Sequence, residues 1–186
     1  MSDRAFILPG LGYGPDRPLL YYTRKLLEAR GYAVQTVCYG PLPPFAAGDP
    51  QSVRAVCDAA TAYAERALAG TEAATGGQVL FVGKSIGSVA AARLAARSPV
   101  NAAAVLFTPL EAACETVVGR AVAFTGSSDP LAATPALAAL CEERSIPLHI
   151  STDANHSLET GDVDRDIETL RAVLDAVRAF VDGLHA

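Results

Sequence analysis

This chain has no tryptophan, one methionine and only three histidines among its 186 residues. The shortage of histidine is the most useful absence. Any chemistry that needs an imidazole base must draw it from His149, His156 or His185. Basic residues are also sparse, and the net charge of −5 argues against a nucleic-acid surface. The four cysteines, Cys38, Cys57, Cys114 and Cys141, are scattered. None forms a C-x-x-C pair or lies near a histidine at zinc-ligand spacing, so no metal site is expected. They read as structural thiols of a reduced cytoplasm. Although 51% of residues are apolar, no run approaches the ~20 needed to span a bilayer. Met1-Ser2-Asp3-Arg4 carries neither a basic leader region nor a long apolar stretch behind it. A cytoplasmic protein with no membrane span is expected.

The chain is rich in alternating strand-like and helix-like segments. Apolar runs at 5–8, 33–39, 78–82, 104–107, 121–125 and 147–151 read as six strands. Between them lie helical patterns. Asp16 with Pro18 opens one that Gly31 stops, and Asp49-Pro50 and Thr134-Pro135 open two more. A terminal helix from Asp162 has Ile167, Leu170, Leu174, Val177 and Val181 as its apolar stripe. Residues 70–77 read as a flexible connection. Continuous apolar strands separated by helices imply an α/β fold, with about six mostly parallel strands covered on both faces. No repeat or long linker divides the sequence, so one domain over 1–186 is expected. Such sheets bind ligands at the carboxyl ends of their strands.

One of those ends carries Gly83-Lys84-Ser85-Ile86-Gly87, set between an apolar strand and the alanine-rich helix former from Ser88. A G-x-S-x-G at a strand-to-helix turn has the form of a nucleophile elbow. The serine must take a strained backbone conformation at the tip, and the glycines stand where a Cβ would collide. The next N–H, that of Ile86, faces a developing oxyanion at the positive end of the helix. Without chemistry, the same residues would make an ordinary tight turn.

A serine hydroxyl needs a base, and the base needs an orienting acid. His185 is penultimate and expected to fray. His149 lies inside the last strand. His156 follows that strand in Asp153-Ala154-Asn155-His156-Ser157, on the same edge as Ser85, and is the candidate base. Asp129 directly follows the fifth strand in Gly126-Ser127-Ser128-Asp129-Pro130 and is the first candidate acid. Glu111, after the fourth strand, is the alternative, and Asp153 is too close to His156 in sequence to orient its ring. The second oxyanion donor belongs on the loop Pro9-Gly10-Leu11-Gly12-Tyr13-Gly14. Leu11 N–H is the first candidate there, and Gly12 the next. Those glycines lack the G-x-G-x-x-G spacing of a dinucleotide site. Leu11, Gly12, Tyr13, Leu110 and the stretch 41–45 are candidates for lining the substrate.

The elements Pro9-Gly10-Leu11-Gly12, Gly83-Lys84-Ser85-Ile86-Gly87, Gly126-Ser127-Ser128-Asp129-Pro130 and Asn155-His156-Ser157 come in this order, each at a strand end. Together they resemble an α/β-hydrolase-fold serine hydrolase over essentially the whole chain. The resemblance implies a Ser85–His156–Asp129 triad, with main-chain oxyanion donors at Leu11 and Ile86 and no metal or cofactor. Two features of larger members are missing: the first two strands, and the cap between the fourth and fifth strands read here. The chain is therefore similar to the small lidless members. The implied activity is cleavage of a small or extended ester or thioester, including one borne on a carrier or peptide. An acyltransferase or biosynthetic tailoring enzyme on the same fold is the alternative, and a non-catalytic binding protein a further one.

Overall fold

The computed structural model describes residues 3–69, 77–98 and 101–185. The connection read over 70–77 lies outside these residues except for its last position. Six strands form one parallel sheet: β1 (Arg4–Leu8), β2 (Ala33–Thr36), β3 (Val79–Lys84), β4 (Ala102–Phe107), β5 (Arg120–Gly126) and β6 (Leu148–Ser151). Their order across the sheet is β2-β1-β3-β4-β5-β6. All five pairings are parallel. Helices fill the crossovers: α1 (Pro18–Ala29), α2 (Pro50–Leu68), α3 (Ile86–Arg97), α4 (Glu111–Thr116), α5 (Thr134–Glu143) and α6 (Val163–Asp182).

Side chains alternate along each strand, so the sheet feeds two cores. Phe6, Leu8, Phe81, Leu106 and Ala123 pack with α2, α3, α4 and α5. Ile7, Leu80, Val82, Val105, Phe107 and Phe124 pack with α1 and α6. The helix starts follow local chemistry. Asp49 accepts from the Gln51 N–H, and Asp162 from the N–H groups of Asp164 and Arg165. Asp16 does not cap α1, whose N-cap is Arg17, without a side-chain bond. There Pro18 alone sets the first turn.

Two other expectations need correcting. The second strand stops at Thr36 rather than running to Tyr39: β2 is an edge strand whose last bond to its one neighbour runs from the Val37 N–H to the Ile7 carbonyl (2.9 Å), one residue before β1 ends. The buried stripe of α6 is Val173, Val177 and Val181, with Leu170 partly buried, whereas Ile167 is 60% exposed. The helix meets the sheet only after its first turns, so its start projects beyond the core.

The strand order reverses between β1 and β3. The chain goes from β1 outward to β2, then crosses back to β3 and continues through β6. That switch point puts the loop after β1 beside the turn after β3, at the carboxyl edge of the sheet, where the crevice of such folds lies. Between β4 and β5 the only helix is the six-residue α4. Among the described residues, no cap domain covers this edge. Among the described residues, no helix is long and apolar enough to cross a membrane.

Candidate functional site

β3 is paired on both sides, and Ser85 follows it directly. Ser85 has φ 55 and ψ −119, a region that residues with a Cβ rarely occupy. Its N–H donates to the Phe107 carbonyl (3.0 Å), which ties the turn to β4. α3 starts at the next residue, so Ile86 is among the first helical residues, whose N–H groups have no partner within the helix. Packing accounts for both glycines of the motif. A Cβ on Gly83 would collide with the Gly87 carbonyl, and one on Gly87 with the carbonyls of Leu8 and Pro9. The first turn of α3 is thus pressed against the end of β1.

The loop after β1 closes into a tight turn. Gly10 N–H donates to the Tyr13 carbonyl (3.1 Å), and Tyr13 N–H returns a bond to the Gly10 carbonyl (3.3 Å). Leu11 and Gly12 are its central residues, and Gly12 has φ +69, which favours glycine at the third turn position. Leu11 is 47% exposed at the tip. A Cβ on Gly10 would stand 3.2 Å from Ser85 Cβ, so the turn lies directly against the elbow.

On the other flank, His156 Nδ1 is 2.8 Å and 2.9 Å from the two carboxylate oxygens of Asp129. The Asp129 side chain is fully buried, and its Oδ1 also accepts from the Leu131 N–H (2.9 Å). A carboxylate facing Nδ1 holds the hydrogen there and leaves the lone pair of a neutral ring on Nε2. Nε2 is covered from solvent and has no hydrogen-bond partner among the described residues, so Ser85 Oγ is not bonded to it. The two loops are laced together. Ser128 N–H donates to the Ala154 carbonyl (3.0 Å), and Asp153 N–H to Ser127 Oγ (2.8 Å). Asn155 Oδ1 accepts from the N–H groups of Ser157 and Glu159, which fixes the turn that carries His156.

The other candidates fall elsewhere. Glu111 opens α4 on the exposed surface. Asp153 pairs with Arg165 (3.0 Å) on the surface. His149 stacks on Phe124, with ring centroids 4.9 Å apart. His185 does not fray: its Nε2 lies 3.1 Å from the Tyr32 hydroxyl and 3.5 Å from an Asp3 carboxylate oxygen. Leu110, Leu42 and Phe45 are partly buried against the core of α2 and α3. Tyr13 is buried on the opposite side of the sheet, and its hydroxyl accepts from the Leu19 N–H (3.2 Å). Burial raises the Tyr13 pKa to about 12. Beside it a cleft of about 190 Å³ opens between the start of α1, the loop after β6 and the start of α6. Pro18, Leu19, Leu158, Val163, Ile167 and Leu170 give it an apolar lining, and Ser157, next to His156, reaches its edge.

One residue of the site went unremarked in the sequence. Lys84, the variable position before the serine, is 1% exposed, and its Nζ lies 5.0 Å from the centre of the Tyr13 ring. Burial lowers its pKa to about 7, against the opposing pull of the Asp129 and Glu159 carboxylates. The available signal was a lysine standing between a strand and a helix that are both apolar. Among the described residues, no group of three or more His, Cys, Asp or Glu side chains could hold a metal ion.

The architecture is that of known structures. A protein of the alpha/beta hydrolase superfamily from Xanthomonas campestris pv. campestris superposes with a TM-score of 0.67 at 21% identity, covering 96% of this chain and 99% of that one. An α/β serine hydrolase without a lid, also from Xanthomonas campestris, gives 0.63 at 18% identity, over 96% and 82% of the two chains. Est1E from Butyrivibrio proteoclasticus gives 0.72 at 10% identity, over 98% and 88%. No protein-family model and no curated protein matches the sequence. The chain has the α/β-hydrolase fold in a small, lidless form.

Proposed function

We propose that the protein is a serine hydrolase that cleaves an ester or thioester through Ser85, His156 and Asp129. The observation that carries the reading is the His156 ring braced by the buried Asp129 carboxylate, on the same sheet edge as the strained Ser85 turn. The order Ser…Asp…His along the chain is the one this fold uses.

In the proposed reaction, Ser85 Oγ attacks the acyl carbon as His156 Nε2 takes its proton. The hydrogen bond between Oγ and Nε2 forms as the substrate seats, since such contacts often tighten only in the complex. The carbonyl electrons move to oxygen, and the N–H groups of Leu11 and Ile86 receive that charge. The intermediate collapses as His156 protonates the leaving alkoxide or thiolate. Water then repeats the sequence on the acyl-enzyme, and Asp129 holds the imidazolium in both halves.

The apolar cleft beside Tyr13 and the His156 loop suits an alkyl or acyl group, and the uncapped edge leaves space for a carrier or peptide. Fluorophosphonate treatment followed by intact-mass analysis tests the reading. One adduct is expected on the wild type and none on Ser85→Ala; an equal adduct on both sinks it. Acyl label appearing on an added alcohol or amine, in preference to water, would reassign the enzyme as an acyltransferase.

A further inference from the structure

Lys84 carries a buried charge that the reaction above does not use. Its ammonium has neither hydrogen bond nor ion pair among the described residues and keeps only a narrow contact with solvent, facing the ring of Tyr13. The stem of the side chain runs past Gly10, where a Cβ would stand 3.2 Å from Lys84 Cγ and 3.1 Å from the Lys84 carbonyl oxygen. Gly10 and Tyr13 are the two ends of the turn that presents Leu11, joined by two main-chain hydrogen bonds. The lysine therefore lies along the base of that turn and touches both ends, while its own backbone leads into Ser85.

An alkyl side chain would fill the same space. Withdrawing an ammonium from most of its water without a protein hydrogen-bonding partner is unfavourable, so packing does not account for the charge. The groups around it are well defined. Tyr13 stands in front, with Arg17 acting on the same tyrosine. The carboxylates of Asp129, after β5, and Glu159, after β6, favour the charged form. His156 is held against Asp129.

We propose that Lys84 is a positioning residue for acyl transfer at Ser85: its ammonium, seated on Tyr13, fixes the Gly10–Tyr13 turn against the elbow and biases the potential there toward the oxyanion. The proposal rests on the serine-hydrolase reading. The charged form is the active one. Burial leaves Lys84 with a pKa of about 7, so the contact with Tyr13 is lost as pH rises through and beyond neutrality. The rate then acquires an alkaline limb that belongs to Lys84, in addition to the acid limb expected of a histidine base.

The test measures ester kcat and KM, together with fluorophosphonate labelling rates, from pH 5.5 to 9.5. Wild type, Lys84→Met, Lys84→Arg and Ser85→Ala are compared. Methionine should lower kcat roughly 10- to 100-fold, the scale of a small misplacement in an active site. KM should stay within about twofold, and the alkaline limb should vanish. Arginine, charged throughout this range, should recover part of the rate and hold it at high pH. An alkaline limb that persists in Lys84→Met overturns the proposal, and so does arginine no better than methionine at pH 9. If neither variant folds, Tyr13→Leu is measured instead: with the ammonium's seat gone, kcat should fall and the alkaline limb should vanish, and an unchanged limb overturns the proposal. A wild type with no Ser85-dependent labelling removes the hydrolase reading and this proposal with it. Ser85-dependent labelling with an unchanged Lys84→Met profile removes this proposal alone.

Discussion

Replacing Lys84 by methionine should stabilise the protein, and by an amount that depends on pH. The side chain is 1% exposed, and loss of water lowers its pKa from 10.5 to about 7. Below about pH 7 the lysine is charged in both the folded and the unfolded chain, and the folded state bears the full desolvation penalty. Between about pH 7 and 10.5 the unfolded chain still binds the proton and the folded chain releases it, so wild-type stability rises with pH across that window. At about 1.4 kcal/mol per pH unit, the whole window corresponds to roughly 5 kcal/mol. The pull of the Asp129 and Glu159 carboxylates is already inside that figure, because they act on the same equilibrium. Methionine is similar in length and flexibility but carries no charge. Urea unfolding of both proteins at pH 6 and pH 9 gives two differences in stability. The variant's advantage should shrink by about 3 kcal/mol between them, since two of the roughly three and a half pH units have then been crossed. Other titrating groups cancel in the comparison. An advantage that is the same at pH 6 and pH 9 would refute the reasoning, because Lys84 would then keep its proton in the folded protein.

Gly87→Ala should destabilise the fold by about 3 kcal/mol or more, since its Cβ meets two backbone carbonyls of the β1 end; a variant with wild-type thermal stability would contradict the packing described. Ser85→Gly should raise stability by about 1 kcal/mol while abolishing activity, because φ 55 is free of strain only for glycine; calorimetry and an ester assay read both halves. Asp129→Asn should lose far more activity than Glu111→Gln at equal folding, as the two carboxylate contacts to His156 come from Asp129. If the order is reversed, the acid is misassigned. Short soluble esters should turn over below any micellar threshold, as only the six-residue α4 stands where a cap would be inserted; a sharp rise in rate on substrate aggregation would indicate a moving lid.

The fold was legible in the sequence because its signals are local. The four central strands are buried and legible as continuous apolar runs, and the two edge strands, β2 and β6, as shorter mixed ones; all six lie within a few residues of the sequence reading. The pattern extends past the strand where it has only one neighbour: residues 37–39 continue the alternation of β2, but after the Val37 N–H bond to the Ile7 carbonyl, β1 ends at Leu8. It also placed Ile167 on the inner stripe of α6, because a helical period reports which residues share a face and not where the sheet ends. Asp16, followed by Pro18 and an apolar helical period, suggests a cap at Asp16, whereas the residue with extended geometry at the start of α1 is Arg17.

The candidate site divides along the same line. Ser85, His156 and Asp129 each follow a strand, so strand prediction already brought them to one edge, and the topology needed only to make β3, β5 and β6 parallel. Lys84 escaped that logic. Its position between two apolar elements was visible, but its meaning depends on a non-local fact: the Gly10–Tyr13 turn, some seventy residues earlier, folds over it. The same crossover that sends the chain from β2 past β1 to β3 puts the turn and the elbow side by side. A residue at that junction feels the Gly10–Tyr13 turn and the carboxylates of the loops after β5 and β6 at once. On the proposed role of Lys84, a charge there is coupled both to the stability of the fold and to acyl transfer at Ser85, and the pH dependence of one should be traceable in the other.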